Sequence, residues 1–341
     1  MRKRGGNKLK YQVTKVLKAI DKIGISKKDL RDKGMETGIH STKQMEHALS
    51  TCQNFAEWLM SEKGVTDLYQ LRRAHYREYI RYMQEKGVSV GHLINTETNL
   101  RLLQKGMHAV SRKKGFKPRV WCPRRRMIKS TMREKPVDRS ITKQEYERVL
   151  EKLPESVRVG AELQYAFGLR LREVANTRAG HIVEDGGKLY WVAVPDRNAV
   201  NTAVGVTKAG RGRVAPCRPE MEARVREIIR DRAPESRLVP VTYNTLKSAY
   251  YRANLGGSHV FRHSYARDML KAELKCLGVE KEGREIIRRM VANRQEGLRK
   301  DSGIRMHERE LYRQVNRAID TVHGYLGHGI SRSDLMQVYM S

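Results

Sequence analysis

The stretch His259-Val260-Phe261-Arg262-His263 is the part of the chain from which the rest can be interpreted. It follows the glycines Gly256 and Gly257 and opens an apolar-periodic run, so we predict that a helix begins here after a loop. His259, Arg262 and His263 then project from one face of that helix. Two imidazoles and a guanidinium at the start of a helix are too polar for a hydrophobic core, but they are well suited to bind an anion. The alternative is an ordinary solvated helix start, which a basic protein contains by chance.

The charge of the chain points to a polyanionic partner. Its 341 residues include 69 Lys and Arg against 38 Asp and Glu, a formal net charge of +31, which is typical of proteins that bind nucleic acid. Residues 1–140 hold 33 basic and 13 acidic residues, whereas residues 141–341 hold 36 and 25. We therefore expect the N-terminal part to bind the polyanion more strongly. An RNA-associated or ribosomal protein would be equally basic.

The cysteines and the apolar runs exclude several other classes of protein. Four isolated cysteines show neither a C-x-x-C pair nor a His partner at ligand spacing, which argues against a zinc site and a disulfide framework. No apolar run approaches the length of a membrane span, and the basic N-terminus leads into no signal-like segment. We expect a protein of a reducing cytoplasm that has no membrane association.

The first 115 residues predict an arm followed by a helical bundle. Residues 1–40 are predicted as a basic arm, disordered over its first ten residues until bound, with one short helix from Tyr11 to Ile23. Residues 41–115 contain three amphipathic patterns, each with a polar start and a glycine stop, which predict a small helical domain. The three patterns run from Ser41 to Gly64, from Asp67 to Gly87 and from Ser89 or its neighbours to Gly115.

Residues 116–140 are predicted as a basic linker between two domains. The stretch 112–139 holds twelve Lys and Arg, two acids and three prolines, a composition that we expect to bury no core. Such a segment can cross a groove of a duplex and contact its phosphates; an ordinary solvated tether is the alternative. The candidate DNA-binding residues are Arg112, Lys113, Lys114, Arg124, Arg125 and Arg126.

Residues 141–341 predict a second, mostly helical domain with one small antiparallel sheet. Thr142 caps a first helix, and a longer helix is predicted over 157–178. Asp185-Gly186-Gly187 is a hairpin signal between two strand-like pieces, and a third strand is expected within 205–216. Further helices are predicted at 219–232, 242–254 and 259–277.

Three more motifs carry side chains suited to chemistry. Gly168-Leu169-Arg170 lies in the predicted long helix with Glu173 three residues on, which suggests a guanidinium held by a carboxylate; a surface ion pair is the alternative. Lys208 lies beside a flexible turn, where a lone lysine would ordinarily be solvated. Leu326-Gly327-His328 and Tyr339 lie near the chain end, where a single tyrosine usually only packs.

In this order, the motifs resemble those of the tyrosine recombinase (phage integrase) family. The helical bundle and basic linker also look like the core-binding domain of that family, so the resemblance covers the chain from about residue 40 to its end. It implies a mainly α protein with a small antiparallel sheet, in which a helical (SAM-like) core-binding domain precedes an α+β catalytic domain. The matching boxes are Gly168-Leu169-Arg170 with Glu173, Lys208, His259 with Arg262, Leu326-Gly327-His328, and Tyr339.

The resemblance implies a site-specific DNA recombinase that integrates or excises a mobile element. A tyrosine phenol attacks a phosphodiester and keeps the bond energy in a 3′-phosphotyrosyl ester, which a 5′-hydroxyl of a partner strand later attacks. Tyr339 would be this nucleophile. Arg170 and Arg262 would clamp the equatorial oxygens of the transition state, and Lys208 would protonate the departing 5′-oxygen.

The remaining residues and partners follow from the same resemblance. His259 and His328 would bind the phosphate or move the proton of the nucleophile, and Glu173 and His263 would support Arg170 and the site. No metal or nucleotide cofactor is implied. The expected partners are double-stranded DNA carrying a specific site, three further copies of the chain in a tetramer on two duplexes, and accessory DNA-bending proteins. The place of action would be the nucleoid of a prokaryote, or phage DNA.

The chain departs from the family pattern in three places. His328 follows His263 by 65 positions, because a charged insertion lies at about 278–317; it is either a solvated helical pair or a protein or DNA contact. The spacing from His328 to Tyr339 is slightly long, and Tyr325 is the near competitor as nucleophile. The chain ends two residues after Tyr339, so we expect the insertion to make the contact between subunits. Its deletion should then abolish synapsis and spare cleavage.

Two other functions remain open from the sequence. A type IB topoisomerase-like enzyme would use the same chemistry to relax DNA without synapsis, although the separate bundle and basic linker favour recombination. A non-catalytic DNA-binding protein of the same fold is the third possibility, and the presence of every catalytic residue type argues against it.

Overall fold

The chain forms two compact units, an N-terminal unit of residues 1–134 and a C-terminal unit of residues 135–341. In the described part of the chain, no helix is both long and apolar enough to cross a membrane. The computed structural model describes residues 4–134, 137–195, 206–207, 210, 212–255 and 257–328.

The helices of the N-terminal unit follow the capping signals of the sequence. The Ser41 hydroxyl accepts from the Gln44 amide at the start of α3 (Thr42–Lys63), and Gly64 ends that helix in the left-handed region. Ser89 caps α5 (Val90–Lys113) in the same way. Asp67 instead caps a short 3-10 turn, Leu68–Gln70, that precedes α4 (Arg73–Glu85). The helices are α1 (Arg4–Lys18), α2 (Lys27–Asp32), α3 (Thr42–Lys63), α4 (Arg73–Glu85) and α5 (Val90–Lys113).

The expectation of a disordered N-terminal arm is wrong for the described residues. Helix α1 already begins at Arg4, and its apolar face is buried in the same core as α3 and α5. Leu9, Val13 and Leu17 have no exposed surface. Their helical spacing continues the predicted pattern of Tyr11 to Ile23 towards the N-terminus, so burial of that face stabilises the helix in spite of its basic residues.

The expectation that the basic linker buries no core is also wrong. Trp121, Cys122 and Ile128 are at most 2% exposed and belong to the core of the N-terminal unit. The Trp121 ring stacks on Phe55 with ring centres 5.9 Å apart. Three large apolar side chains among many basic ones are enough to anchor a segment, because a composition average conceals them.

The C-terminal unit is helical around one small sheet, as predicted. Thr142 and Glu145 form a capping box at the start of α6 (Lys143–Lys152). The predicted helix over 157–178 is instead two helices, because Gly168 adopts a φ of +59° and ends the first of them. The helices are α6 (Lys143–Lys152), α7 (Glu155–Phe167), α8 (Leu171–Ala175), α9 (Glu222–Ile229), α10 (Tyr243–Arg252), α11 (Val260–Cys276), α12 (Glu280–Gln295) and α13 (Arg309–Tyr325).

The sheet consists of three antiparallel strands in sequence order. Strands β1 (Ile182–Asp185) and β2 (Lys188–Ala193) are joined by the predicted glycine hairpin, and β3 (Arg213–Pro216) pairs with β2. Trp191 of β2 is fully buried, and its indole donates to the Thr177 hydroxyl at 3.1 Å. The hairpin therefore packs its inner face on the core, as alternation predicts.

The insertion at 278–317 forms a packed helical pair. Ile286, Met290 and Val315 are at most 1% exposed and share a core with Tyr265 and Leu274 of α11. Charged residues occupy the outer faces of α12 and α13, where Arg284 pairs with Glu280 and Arg313 with Glu310. The segment is thus part of the architecture of the C-terminal unit, and only its outer surface is solvated.

Candidate active site

The first sequence box forms a capped helix start. After Gly168 the chain leaves the helical path, and Arg170 becomes the N-cap residue of α8. Glu173, three residues on, accepts from the Arg170 amide at 2.7 Å and from the Arg170 guanidinium at 2.7 Å. The spacing of Arg170 and Glu173 is therefore that of a capping box in which the side chains also form an ion pair.

Arg213 is a site residue that the sequence interpretation missed. This buried side chain on β3 pairs with the Glu173 carboxylate and donates to the carbonyls of Phe167 and Gly168 at 3.0 and 3.2 Å. It also donates to the Tyr325 carbonyl. The available signal was an arginine at an inward position of the third strand, where alternation calls for an apolar residue.

Helix α11 brings the second box to the same place. Arg262 has no exposed surface. Its guanidinium donates to the Gly168 carbonyl at 2.7 Å, to the Leu326 carbonyl and to Nε2 of His328 at 3.0 Å. Because a guanidinium only donates, that imidazole nitrogen accepts, and a neutral His328 ring carries its proton on Nδ1.

The third box is the end of α13. Gly327 has a φ of +64°, and the His328 amide donates to the His323 carbonyl at 2.9 Å, which is the Schellman ending. A Cβ on Gly327 would lie 3.1 Å from Cδ of Arg213, so the glycine also allows a close approach. The Leu326 carbonyl beside it accepts from Arg262 and, at 3.2 Å, from Arg170.

The site has an excess of positive charge around one carboxylate. Burial disfavours the charged form of Glu173, but Arg213, Arg262 and Arg170 outweigh burial and hold the pKa of this carboxyl at about 2. Three guanidinium groups thus face one carboxylate. The surplus charge is suited to an anion that arrives from solvent.

The histidines beside these guanidinium groups are held neutral. Burial, Arg262 and Arg170 lower the pKa of His328 to about 2. Burial and the neighbouring His259 lower the pKa of His263 to about 4. Desolvation of its ring and the charges of Arg262 and Arg170 also lower the pKa of His259, although this residue as a whole is exposed at the start of α11. A neutral imidazole such as that of His259 can accept a proton.

The structure brings Arg170, Glu173, Arg262 and His328 into direct contact, with His259 and His263 adjoining. Lys208 and Tyr339 lie outside the described residues. Tyr325, the competing nucleophile, donates to Glu273 at 2.9 Å, and burial together with this bond raises the pKa of its phenol. A phenol so held is a poor nucleophile at neutral pH.

The predicted DNA-binding residues lie in the N-terminal unit. All six are exposed. Arg112 pairs with Glu36 at 2.8 Å, and Arg126 donates to the Ile94 carbonyl at 3.1 Å. Across the described ranges, no three His, Cys, Asp or Glu side chains are grouped so that they could hold a metal ion.

No protein-family model matches the sequence, nor does any curated protein. Among solved structures, the chain is similar to the XerH site-specific recombinase bound to its difH substrate, with a TM-score of 0.53 and 11% identity over 99% of this chain and 94% of that one. The Tn1549 transposon integrase in complex with a circular intermediate DNA matches with a TM-score of 0.47 and 13% identity, and the match covers 79% of this chain and 90% of that one. A lambda integrase dimer bound to a core site matches with a TM-score of 0.44 and 16% identity, and the match covers 70% of this chain and 66% of that one. On the likeness to XerH, the chain has the tyrosine recombinase fold.

Proposed function

We propose that this protein is a site-specific DNA recombinase that cleaves and rejoins strands through a 3′-phosphotyrosyl intermediate. The observation that carries the proposal is the convergence of three sequence boxes on one carbonyl. Arg170 and Arg262, which are 92 positions apart in the chain, both donate to Leu326 O, next to His328. A purely structural role would not require two guanidinium groups and a histidine at one point beside an exposed surface.

The charge of this site fits a phosphodiester. The Arg170 side chain is 23% exposed although it is paired with Glu173, so it can bind an oxygen of an incoming phosphate while its other donors stay in place. Arg262 lies behind it and is fully buried. Charge that develops on the equatorial oxygens of a phosphoryl transition state is stabilised by such preorganised donors, which need no reorganisation during the reaction.

The proposed step conserves both bonds and protons. Oη of Tyr339 attacks phosphorus, the bond to the 5′-oxygen breaks, and a 3′-phosphotyrosyl ester forms. Lys208 gives a proton to the departing 5′-oxygen, and a neutral His259 accepts the phenolic proton. His328, whose Nε2 accepts from Arg262, holds that guanidinium in place. A 5′-hydroxyl of a partner strand then attacks the ester, and the reverse proton transfers restore the tyrosine. No water is consumed.

The fold supports the same assignment, because the XerH chain that it resembles was crystallised on its DNA substrate. We propose that duplex DNA carrying a recombination site is the substrate, that the enzyme serves a mobile element at the nucleoid of a prokaryote or on phage DNA, and that four copies act together on two duplexes with accessory DNA-bending proteins. The strong positive charge of the chain favours a polyanion in any case.

We further propose that the outer surface of the insertion couples the subunits. Leu298 is 48% exposed and Met306 is 85% exposed between α12 and α13, with Arg299 and Arg305 close by in the chain. In a contact between subunits, exposed apolar side chains such as these supply the buried centre and the charged residues around them supply the polar rim. Replacing both with Asp should reduce synapsis of two duplexes and leave cleavage of a single duplex intact.

The first experiment is a covalent trapping assay. The protein is incubated at low salt with nicked duplexes drawn from the DNA that flanks its own gene, and the mixture is then denatured. Low salt strengthens the phosphate contacts, and the nick lets the cleaved strand diffuse away so that the adduct accumulates. We expect an adduct that maps to Tyr339 and disappears in Tyr339→Phe, while Tyr325→Phe keeps it.

Each other result has a definite meaning. An adduct on Tyr325 would retain the chemistry and overturn the choice of nucleophile. Duplex binding without any adduct, across both flanks and their junction, would support a non-catalytic DNA-binding protein. Relaxation of supercoiled DNA without strand exchange would support a topoisomerase-like enzyme.

A further inference from the structure

We infer that residues 119–128, called the basic strap below, are an ordered phosphate-binding element whose position is set by a row of polar side chains on α5. The inference rests on the proposed function only in taking duplex DNA as the polyanion. It differs from the sequence expectation of a flexible linker, because three side chains of the strap, Trp121, Cys122 and Ile128, belong to the core of the N-terminal unit.

The row consists of Glu97, Arg101, Gln104 and His108. Their spacing of four, three and four positions places all of them on one face of a helix. Each one forms a hydrogen bond to the backbone of the strap. One helix face therefore follows the strap along its length, which a tether with no fixed position would not require.

Glu97 holds the C-terminal end of the strap. The side chain is 0% exposed and accepts from the Met127 amide at 2.8 Å, the Ile128 amide at 3.3 Å and the Tyr76 hydroxyl at 2.7 Å. All three partners donate, and the two oxygens of one side chain accept from all of them. Burial and this bond raise the pKa of the Tyr76 phenol, which stays a donor.

Gln104 holds the N-terminal end. Its side-chain oxygen accepts from the amides of Trp121 and Cys122 at 2.7 and 2.6 Å. The side chains of both residues are buried in the core. The strap is thus anchored twice at this end, by apolar burial and by two backbone hydrogen bonds that a flexible segment would give to water.

The two remaining members of the row bind strap carbonyls. Arg101 donates to the Pro123 carbonyl at 2.7 Å, and the His108 ring lies 2.8 Å from the Arg119 carbonyl. The bonds of Arg101 and Glu97 flank the triplet of arginines on either side. The path of the strap backbone is consequently fixed immediately before and after that triplet.

Arg124, Arg125 and Arg126 occupy the span between the anchors and are exposed. Arg126 is further tied to the Ile94 carbonyl at 3.1 Å. Among the described residues, no carboxylate forms an ion pair with any of the three. These three positive charges lie on a backbone that hydrogen bonds already hold in place. Binding a row of phosphates would therefore cost little conformational entropy of the strap.

The cost of burying Glu97 supports a functional reason for the row. A buried carboxylate inside a helical bundle is expensive, and an apolar side chain would serve the core better. What the carboxylate provides and an apolar residue could not is the pair of hydrogen bonds to Met127 and Ile128. The row therefore positions the strap, and the arginines of the strap contact the phosphates.

The sign of one substitution tests this inference. Glu97→Gln removes a negative charge from a DNA-binding protein, so electrostatics alone would strengthen its binding. We expect weaker binding, by about three- to tenfold at fixed salt. The NH2 group of the new glutamine would face the N–H of Met127 or Ile128, and two donors cannot form a hydrogen bond. Binding of the whole chain to a random-sequence duplex is measured by fluorescence anisotropy over a range of salt. Glu46→Gln, an equal charge change at an exposed position of α3, is the control and should not weaken binding.

A double-variant cycle separates the strap from a general loss of structure. Glu97→Gln and the uncharged variant Gln104→Leu are each combined with a strap in which Arg124, Arg125 and Arg126 are all Gln. The triple change alone should lower affinity and flatten the salt dependence. In that background, Glu97→Gln and Gln104→Leu should cause no further loss of affinity, because the element that they position no longer binds phosphate.

The outcomes are distinct. Stronger or unchanged binding by both Glu97→Gln and Gln104→Leu, or an equal loss with and without the three arginines, would overturn the inference. Thermal unfolding of each variant shows whether the fold is kept. A wild-type chain that binds duplexes in this way and never forms a tyrosyl adduct would contradict the proposed recombinase and leave the strap inference standing.

Discussion

Glu173 is the residue on which the candidate active site depends most. It is 1% exposed and pairs with both Arg170 and Arg213. A buried carboxylate between two guanidinium groups is stable only while all partners are present, since each charge alone would face a large desolvation cost. The residue therefore holds the buried structure together, and under the proposed function it also positions Arg170.

Replacing Glu173 with Gln should destabilise the C-terminal unit and reduce adduct formation. The change leaves the buried Arg213 without a counter-charge, a situation that typically costs about 3–5 kcal/mol. Urea unfolding measures the loss. Glu147→Gln, at an exposed position of α6, should change the free energy of unfolding little. Equal effects of the two substitutions would show that the Glu173 network contributes no stability.

The histidines of the site predict how stability depends on pH. His263 has a pKa of about 4 in the folded chain, below the ordinary value of about 6.5. Between these values the unfolded chain binds more protons, so the free energy of unfolding falls as the pH is lowered from about 6.5 towards 4. For His263 alone the loss approaches roughly 3 kcal/mol. Unfolding at pH 7.5 and 5 should show a smaller difference in His263→Gln than in the parent; an unaltered difference would mean that His263 titrates normally.

At the scale of elements, the break between α7 and α8 decides the shape of the site. Gly168 combines a φ of +59° with contact to α11, since a Cβ there would lie 2.4 Å from Cδ1 of Tyr265. Its carbonyl accepts from Arg262 and Arg213. One residue thus ends a helix, lets another helix approach and supplies an acceptor to two guanidinium groups.

Gly168→Ala should therefore lower the free energy of unfolding more than the same substitution at an ordinary left-handed glycine. Gly186 in the hairpin has a φ of +55° and open space around it, so Gly186→Ala reports the backbone strain alone, about 1 kcal/mol. Gly168→Ala adds a clash that is expected to cost a further 1–3 kcal/mol. Denaturant unfolding of both variants measures the difference, and equal losses would mean that Tyr265 moves aside freely.

The insertion helices give a second prediction at this scale. Deleting 278–317 would uncover the apolar face of α11 that Ile286, Met290 and Val315 cover, and it would remove the start of α13, which leads to His328. We now expect the deletion to abolish folding and cleavage together, contrary to the sequence-based expectation that cleavage would survive. Circular dichroism and the trapping assay measure both. A folded deletion variant that still cleaves would show that α12 is dispensable.

At the scale of the whole molecule, the strap decides where the N-terminal unit ends. A fragment of residues 1–134 keeps Trp121, Cys122 and Ile128, whereas a fragment of residues 1–115 loses all three core side chains. Removing large core side chains costs several kcal/mol each. We expect 1–134 to unfold cooperatively and 1–115 to be unfolded or only loosely packed. Thiol labelling of Cys52, which is buried in the same core, should be slow in the first fragment and fast in the second; slow labelling in both would make the strap peripheral.

The local structure of the chain could be predicted well because its signals act over a few residues. The caps at Ser41, Ser89 and Thr142 and the glycine hairpin of the sheet were all predicted and are present. The prediction of one long helix over 157–178 was wrong. The helical spacing of apolar residues continues through Gly168, but the backbone of Gly168 leaves the helical conformation. The helical spacing of His259, Arg262 and His263 was correct, because it depends only on helix geometry.

The sequence by itself determined the order of the boxes, the excess of positive charge, most helix ends and the residue types of the site. Only the tertiary structure decided that Arg213 joins Glu173 across 40 positions of the chain, and that Glu97 holds Ile128 across 31. Both contacts join buried polar groups to distant partners. Composition and periodicity record how polar a segment is, but the partner that compensates a buried charge is chosen by packing, which no local pattern contains.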